Sequence, residues 1–295
     1  MNAERDPGLH APVDPETVEH PAPDVTLETL AELKHLPESE LRECGLSPRK
    51  YNGKPAVAIP YHDASGGTLA VRFRTALHKN PDGADNRFRW RSGDKAVHLY
   101  GLNRLDVARA AGWVLVVEGE SDCWAAWHYG VPVVGVPGKA NWKPRMADPL
   151  AGLDVYVWQE PQAEDFTERI GRDLPDVRVI VAPDGVKDIA DAHVAGLDVA
   201  ALLAELRAAA LPLADILARR REARLPELRK AAGSVLAHPD PSALYREAIA
   251  AQGYGGDLNA PTVILLAVTG RVLAMRPGSM PVHLLILGPA SAGKS

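Results

Sequence analysis

Two places in this 295-residue chain carry side chains whose types and spacing could do chemistry. The first is Val114-Leu115-Val116-Val117-Glu118-Gly119-Glu120-Ser121-Asp122, an apolar run that ends in a cluster of carboxylates. Two later runs also end in acid: Val155-Tyr156-Val157-Trp158 precedes Gln159-Glu160-Pro161, and the run ending near Ala182 leads to Lys187-Asp188-Ile189-Ala190-Asp191. Open parallel sheets bind ligands at the carboxyl ends of their strands, so Glu118, Glu160 and Asp188 are expected to converge there. Oxygen donors grouped in this way suit Mg²⁺ or Mn²⁺ serving phosphoryl transfer. Taken singly, each is equally well explained as a loop acid or a helix cap.

The second place is His283 to Leu287 followed by Gly288-Pro289-Ala290-Ser291-Ala292-Gly293-Lys294-Ser295, a match to G-x-x-x-x-G-K-[ST] behind an apolar strand. Gly288 and Gly293 free the backbone N–H groups to wrap phosphate oxygens, Lys294 would reach the outer phosphates, and the Ser295 hydroxyl would bind Mg²⁺. The sequence stops at Ser295, ahead of the helix and the second acidic motif that complete such a site. The expectation is a truncated P-loop ATPase domain, with ATP a cofactor of the full-length protein and neither bound nor hydrolysed by this chain.

A third pattern is cationic. Leu69, Val71 and Phe73 alternate with Arg72 and Arg74, and Phe88 and Trp90 alternate with Arg87, Arg89 and Arg91. With Ala56 to Tyr61 these runs predict a small antiparallel sheet whose outer face carries all five guanidinium groups, Phe88 and Trp90 turning to the core. Such a face suits the backbone of single-stranded DNA, and a solvated sheet face explains it equally well.

The elements that must hold these residues follow from periodicity. Met1 to Asp24, with five prolines among acidic and small residues, reads as a disordered tail. Short helices are predicted from Thr26 and over Ser39 to Cys44, with Gly45 as a left-handed stop. After a helix over Leu102 to Ala111 comes strand–helix alternation: Trp113–Val117, a helix from Cys123, Val133–Val136, a helix near Trp142, Asp154–Trp158, a helix from Phe166, and Val177–Ala182. Continuous β-branched runs between helices indicate buried parallel strands. Residues from Leu197 to about Ala251 are helical, with Arg219, Arg220, Arg221 and Arg224 as a solvated face, and a further helix is predicted over Ala260 to Met275. The domains are therefore residues 1–24, 25–111 (small α+β), 112–196 (parallel α/β), 197–280 (helical linker) and 281–295 (start of the P-loop domain).

Composition sets outer bounds. With 46% apolar and 24% charged residues the chain is an ordinary globular one. No apolar run approaches the roughly 20 residues of a membrane span, so no membrane partner is expected, and the cytoplasm is the expected location. Two cysteines, Cys44 and Cys123, exclude a multi-cysteine zinc site. A net charge of −5 means that any nucleic-acid contact must come from a local basic face.

Taken together, Glu118-Gly119-Glu120-Ser121-Asp122, Val136-Pro137-Gly138, the strand with its acidic end, and Lys187-Asp188 resemble the Toprim domain of bacterial and phage DNA primases. Ile59-Pro60-Tyr61, the arginine-bearing strands and Leu99-Tyr100-Gly101-Leu102 resemble the smaller subdomain that precedes it, so the likeness runs from Thr26 to about His193. With the phosphate loop behind it, the order resembles plasmid and phage primase/helicase proteins. The resemblance implies an α/β fold with a Toprim-like parallel sheet and helices on both faces. It also implies Mg²⁺-dependent (or Mn²⁺-dependent) synthesis of RNA primers from nucleoside triphosphates on single-stranded DNA, among other replication proteins, with Glu118 acting at the metal. Where the family has Asp-x-Asp this chain has Gln159-Glu160-Pro161, which leaves Glu160 shifted by one residue. Alternation along a strand would turn a shifted carboxylate away from the site unless the strand ends early, as Pro161 favours. Two other readings stay open: a noncatalytic DNA-binding module that recruits the ATPase, and a Toprim nuclease.

Overall fold

The computed structural model describes residues 24–79, 85–95 and 97–274. The tail before Asp24, the strand Val282–Leu287 and the phosphate-loop residues Gly288, Gly293, Lys294 and Ser295 lie outside them. Residues 1–217 and 218–295 form two compact units.

The first unit opens with α1 (Leu27–Lys34) and α2 (Glu38–Glu43). Thr26 caps α1 through its Oγ1, which accepts from the Thr29 N–H at 3.1 Å, and Gly45 at φ +88° ends the second helix as its sequence suggests. A four-stranded antiparallel sheet follows in the order β1 (Ser47–Tyr51), β2 (Lys54–His62), β3 (Thr68–Arg74), β4 (Phe88–Trp90). The polar stretch Ser-Pro-Arg-Lys-Tyr does not announce a strand. The signal that was there is Asn52-Gly53, at φ 48° and 80°, a two-residue hairpin turn.

Register corrects the arginine pattern. Ile59 lies opposite Arg72 and Val57 opposite Arg74, while Arg72 and Arg74 face Trp90 and Phe88 across the next ladder. Partners across a ladder share a face, and Val57, Ile59 and Tyr61 belong to the core. Arg72 and Arg74 therefore point inward, whereas Arg89, opposite Phe73, points outward. The five arginines do not share one outer face. Period two tells which residues stand together, not which side is buried.

After α3 (Leu105–Ala111) come β5 (Trp113–Glu118), α4 (Glu120–His128), β6 (Val133–Val136), β7 (Asp154–Gln159), α5 (Glu164–Asp173), β8 (Arg178–Val181), α6 (Ile189–Val194), α7 (Val199–Ala209) and β9 (Leu211–Pro212). The sheet order is β6-β5-β7-β8-β9, parallel except for the last pair. Alternate residues serve opposite cores: Leu115, Val117 and Trp158 pack with α4, α6, α7 and the inner face of the small sheet, while Val114, Val116 and Val157 pack with α3 and α5. Helices on both faces explain why these strands read as unbroken apolar runs. The helix expected near Trp142 is instead three short 3₁₀ turns, Lys139–Asn141, Pro144–Met146 and Asp148–Leu150, because Pro144 and Pro149 interrupt the stretch. The helical reading from Leu197 is broken by β9, an edge strand of two residues.

α8 (Leu213–Ala231) leads into the second unit, which continues with α9 (Gly233–Ala237), α10 (Pro241–Ala251) and α11 (Asn259–Ala274). Arg219, Arg221 and Arg224 are exposed on α8, as expected of a solvated face. No helix among the described residues is long and apolar enough to cross a membrane.

Candidate metal centre

Strand β5 runs to Glu118 and its chain crosses to β6 on one side; β7 starts on the other side of β5, so the crevice between β5 and β7 is the topological switch point where ligands bind. At the end of β5, Gly119 at φ +111° turns the chain into α4. That turn presses against β6, where a side chain at Gly135 would collide with the Gly119 carbonyl and approach Cys123 Sγ to 2.9 Å. Only glycine at 135 allows the turn to sit there.

The first turn of α4 carries Glu120 and Asp122, where the helix dipole favours negative charge. Their fates differ. Glu120 is buried and neutralised: Tyr61 Oη donates to its Oε1, and Arg72 Nη1 donates to the same oxygen at 2.7 Å. Asp122 is also buried, and its Oδ1 accepts from the Ala190 N–H at 3.0 Å. Burial, and then the neighbouring Asp188, pushes its pKa well above the usual carboxylate range.

Asp122, Glu160 and Asp188 form one group, with an oxygen of each within 4.8 Å of the others. Glu160 reaches it because β7 ends at Gln159, as Pro161 favours. Asp188 is the N-cap of α6, its Oδ1 accepting from the Asp191 N–H at 2.8 Å. Burial, with Glu118 and Asp188 adding to it and Lys187 opposing, raises Glu160 to about 7. Lys187 Nζ lies 2.6 Å from Asp188 Oδ2 and 3.6 Å from Glu160 Oε2. Three crowded carboxylates, two of them with raised pKa, form an all-oxygen donor set that a hard divalent cation fits.

Glu118 lines the same cleft but stands outside this group. It shares the parity of Val114 and Val116, which pack on the α3 and α5 face, whereas α4 and α6 lie on the other. The structure thus brings together two of the three expected residues and supplies Asp122 as the third. The signal for Asp122 was available: four residues past Glu118 and inside a helix, it emerges on the face that Glu118 cannot reach.

The cleft holds about 400 Å³ and is lined by these acids together with Lys34, Arg74, Lys79, Arg87 and Lys139, Arg87 being paired with Asp85 at 2.7 Å. Arg74 is buried, donating to the carbonyls of Ala76 at 2.7 Å and Leu77 at 2.6 Å; burial and nearby Arg87 lower it to about 10. Phe88 lies beneath three guanidinium groups, Arg72 at 4.1 Å, Arg74 at 4.6 Å and Arg87 at 5.4 Å from its centroid. Arg72, Arg74 and Arg87 therefore line the cleft, while Arg91 is paired with Asp94 at 2.9 Å and lines a groove on the other side of the sheet.

No protein-family model matches the sequence. The RNA polymerase domain of Mycobacterium tuberculosis primase DnaG superposes with a TM-score of 0.54 at 17% identity, over 77% of this chain and 90% of that one. The catalytic core of the E. coli primase superposes with a TM-score of 0.48 at 18% identity, over 88% of this chain and 85% of that one. Gene 57 protein of Mycobacterium phage D29 is 29% identical over 136 residues, 44% of this chain and 84% of that protein. The fold is that of the DnaG-type primase polymerase domain, with its Toprim-like sheet.

Proposed function

We propose that the chain is a primase-like nucleotidyltransferase that starts RNA from nucleoside triphosphates on single-stranded DNA. The observation that carries this reading is the Asp122, Glu160 and Asp188 group at the switch point, in a cleft whose lining also carries lysines and arginines. In the assignment, the trio holds Mg²⁺ or Mn²⁺, which when bound would neutralise the triphosphate and polarise the phosphorus under attack. Lys79, Arg87 and Lys139 orient phosphates, and Arg72 and Arg74 brace that lining through Glu120 and the chain carbonyls. Glu118, beside Glu160 yet outside the trio, is assigned to the attacking hydroxyl. The RNA polymerase domain of Mycobacterium tuberculosis primase, whose fold this chain shares, agrees with this chemistry. The phosphate-loop sequence Gly288 to Ser295 extends the reading to a helicase-type ATPase in the intact protein, with ATP bound there.

One observation favours a second reading. Lys187 already neutralises Asp188 and Glu160, as suits a noncatalytic DNA-binding module.

The test is incubation with labelled single-stranded DNA, Mn²⁺ and nucleoside triphosphates, alongside Mn²⁺ titration. Glu118→Gln should abolish primer synthesis and leave Mn²⁺ binding within about threefold. Asp122→Asn should lose both, with Mn²⁺ affinity down at least tenfold. Wild-type protein that binds DNA without extending it would leave the noncatalytic module, and cleavage of the strand would point to a nuclease.

A further inference from the structure

We propose that the outer face of the small antiparallel sheet is a second nucleic-acid surface, a stacking platform for a single strand, separate from the cleft. It does not depend on the proposed chemistry and holds for a catalytic or a noncatalytic protein.

Ladder partners define this face. Tyr51 lies opposite Lys54, Arg49 opposite Ala56, Ala58 opposite Phe73, and Phe73 opposite Arg89. The rings of Tyr51 and Phe73 meet with centroids 5.4 Å apart and planes tilted by 46°. Both are half-buried, each with part of its ring open to solvent. Beside them Arg49, Val71, Phe73 and Arg91 line a groove of about 500 Å³ whose floor is Ala58 and Pro60. Small residues in the middle strand and rings beside them give a shallow trough rather than a closed pocket.

Charge identifies the occupant. Strands β1 to β4 contain no carboxylate, in a chain of net charge −5. Arg49 reaches only the Pro48 carbonyl, at 3.0 Å, and Arg89 only that of Phe88, at 2.7 Å. Neither has an ion pair among the described residues. Asp94, beyond the end of β4, is taken up by Arg91 and by the Val71 N–H at 2.7 Å, and Asp85, ahead of β4, by Arg87 at 2.7 Å. Arg49 on β1 and Arg89 on β4 stand on the two edge strands of this face, three strand spacings or about 14 Å apart. Cationic edges around half-buried rings fit a strand that lays phosphates along the edges and stacks bases on the middle, without reading sequence. An apolar protein partner would find the edges unmatched, and a duplex would offer no bases to the rings.

The test uses the full chain and 5′-labelled 16-nucleotide oligo-dT and oligo-rU, followed by anisotropy across a salt series without metal. Arg49→Ala/Arg89→Ala should bind about tenfold more weakly and flatten the log–log salt slope by about 1.4, two lost phosphate contacts at about 0.7 each. Tyr51→Ser, which keeps the charge, should weaken binding severalfold at every salt concentration. Photocrosslinking of iodouracil-substituted oligonucleotide should label the peptides holding Tyr51 and Phe73. Circular dichroism melts establish that each variant is folded, and the crosslinks on wild-type protein need no variant. Unchanged affinity in Arg49→Ala/Arg89→Ala, or crosslinks confined to the peptide holding Phe88 in the cleft, would overturn the proposal. A preference for oligo-dT or oligo-rU assigns the strand as template or product. Failure of primer synthesis leaves these readouts intact, so the two readings fall separately.

Discussion

Glu160 is caught between a buried, acid-rich environment that favours its protonated form and Lys187, which favours the charged one; the first prevails and its pKa lies at about 7. The consequence for stability has a definite sign. A carboxyl whose folded pKa exceeds its ordinary value of 4.5 stabilises the fold fully below about pH 4.5, and that contribution is lost as the pH rises through about 7. For a partly solvated group the discounted effect is about 1 kcal/mol, or about 2–4 °C in melting temperature for a unit of this size. Melts of metal-free protein between pH 5 and 8 should therefore show Glu160→Gln gaining on wild type toward pH 8. Added Mg²⁺ should close the gap by stabilising the wild type. The sequence made Glu160 and Asp188 visible because each follows a strand. Asp122 was harder to single out: its place four residues past Glu118 marks the face, but three acids crowd that stretch, and packing is what separates Glu120, neutralised by Arg72, from Asp122, which faces its own kind.

Between elements, the Arg72–Glu120 pair ties β3 to the start of α4 and thereby aims Asp122 at α6. Glu120 is 2% exposed and Arg72 16%, so removing one partner strands a buried charge. Arg72→Ala should cost about 3–5 kcal/mol by urea unfolding, and Arg72→Met/Glu120→Gln should recover much of it. The parallel strands were legible almost to the residue because burial on two faces writes continuous apolar runs. β1 was not, since an edge strand with one solvated face can be built from Ser-Pro-Arg-Lys-Tyr once a hairpin turn fixes its register. The direction of Arg72 and Arg74 was unreadable for a related reason. Their inward turn is stabilised by acids, rings and carbonyls that arrive from distant segments: Glu120, Phe88 and Leu77.

For the molecule as a whole, all six tryptophans, Trp90, Trp113, Trp124, Trp127, Trp142 and Trp158, fall within residues 1–217, while residues 218–295 form a separate unit. Indole fluorescence thus reports the first unit alone, and far-ultraviolet dichroism reports both. Their urea midpoints should differ, with the dichroic transition broader or biphasic; coincident curves would mean that the two units unfold as one. Within the first unit, one apolar core runs without interruption beneath both sheets, from Val57 and Ile59 to Leu115 and Trp158. Two walls rooted in common ground are expected to move together rather than about a hinge. Whatever enters between them should then meet a gap of one width, with selection among incoming molecules falling to size and charge at the entrance, and fluorophores placed on opposite rims should report one separation whether the gap is filled or vacant.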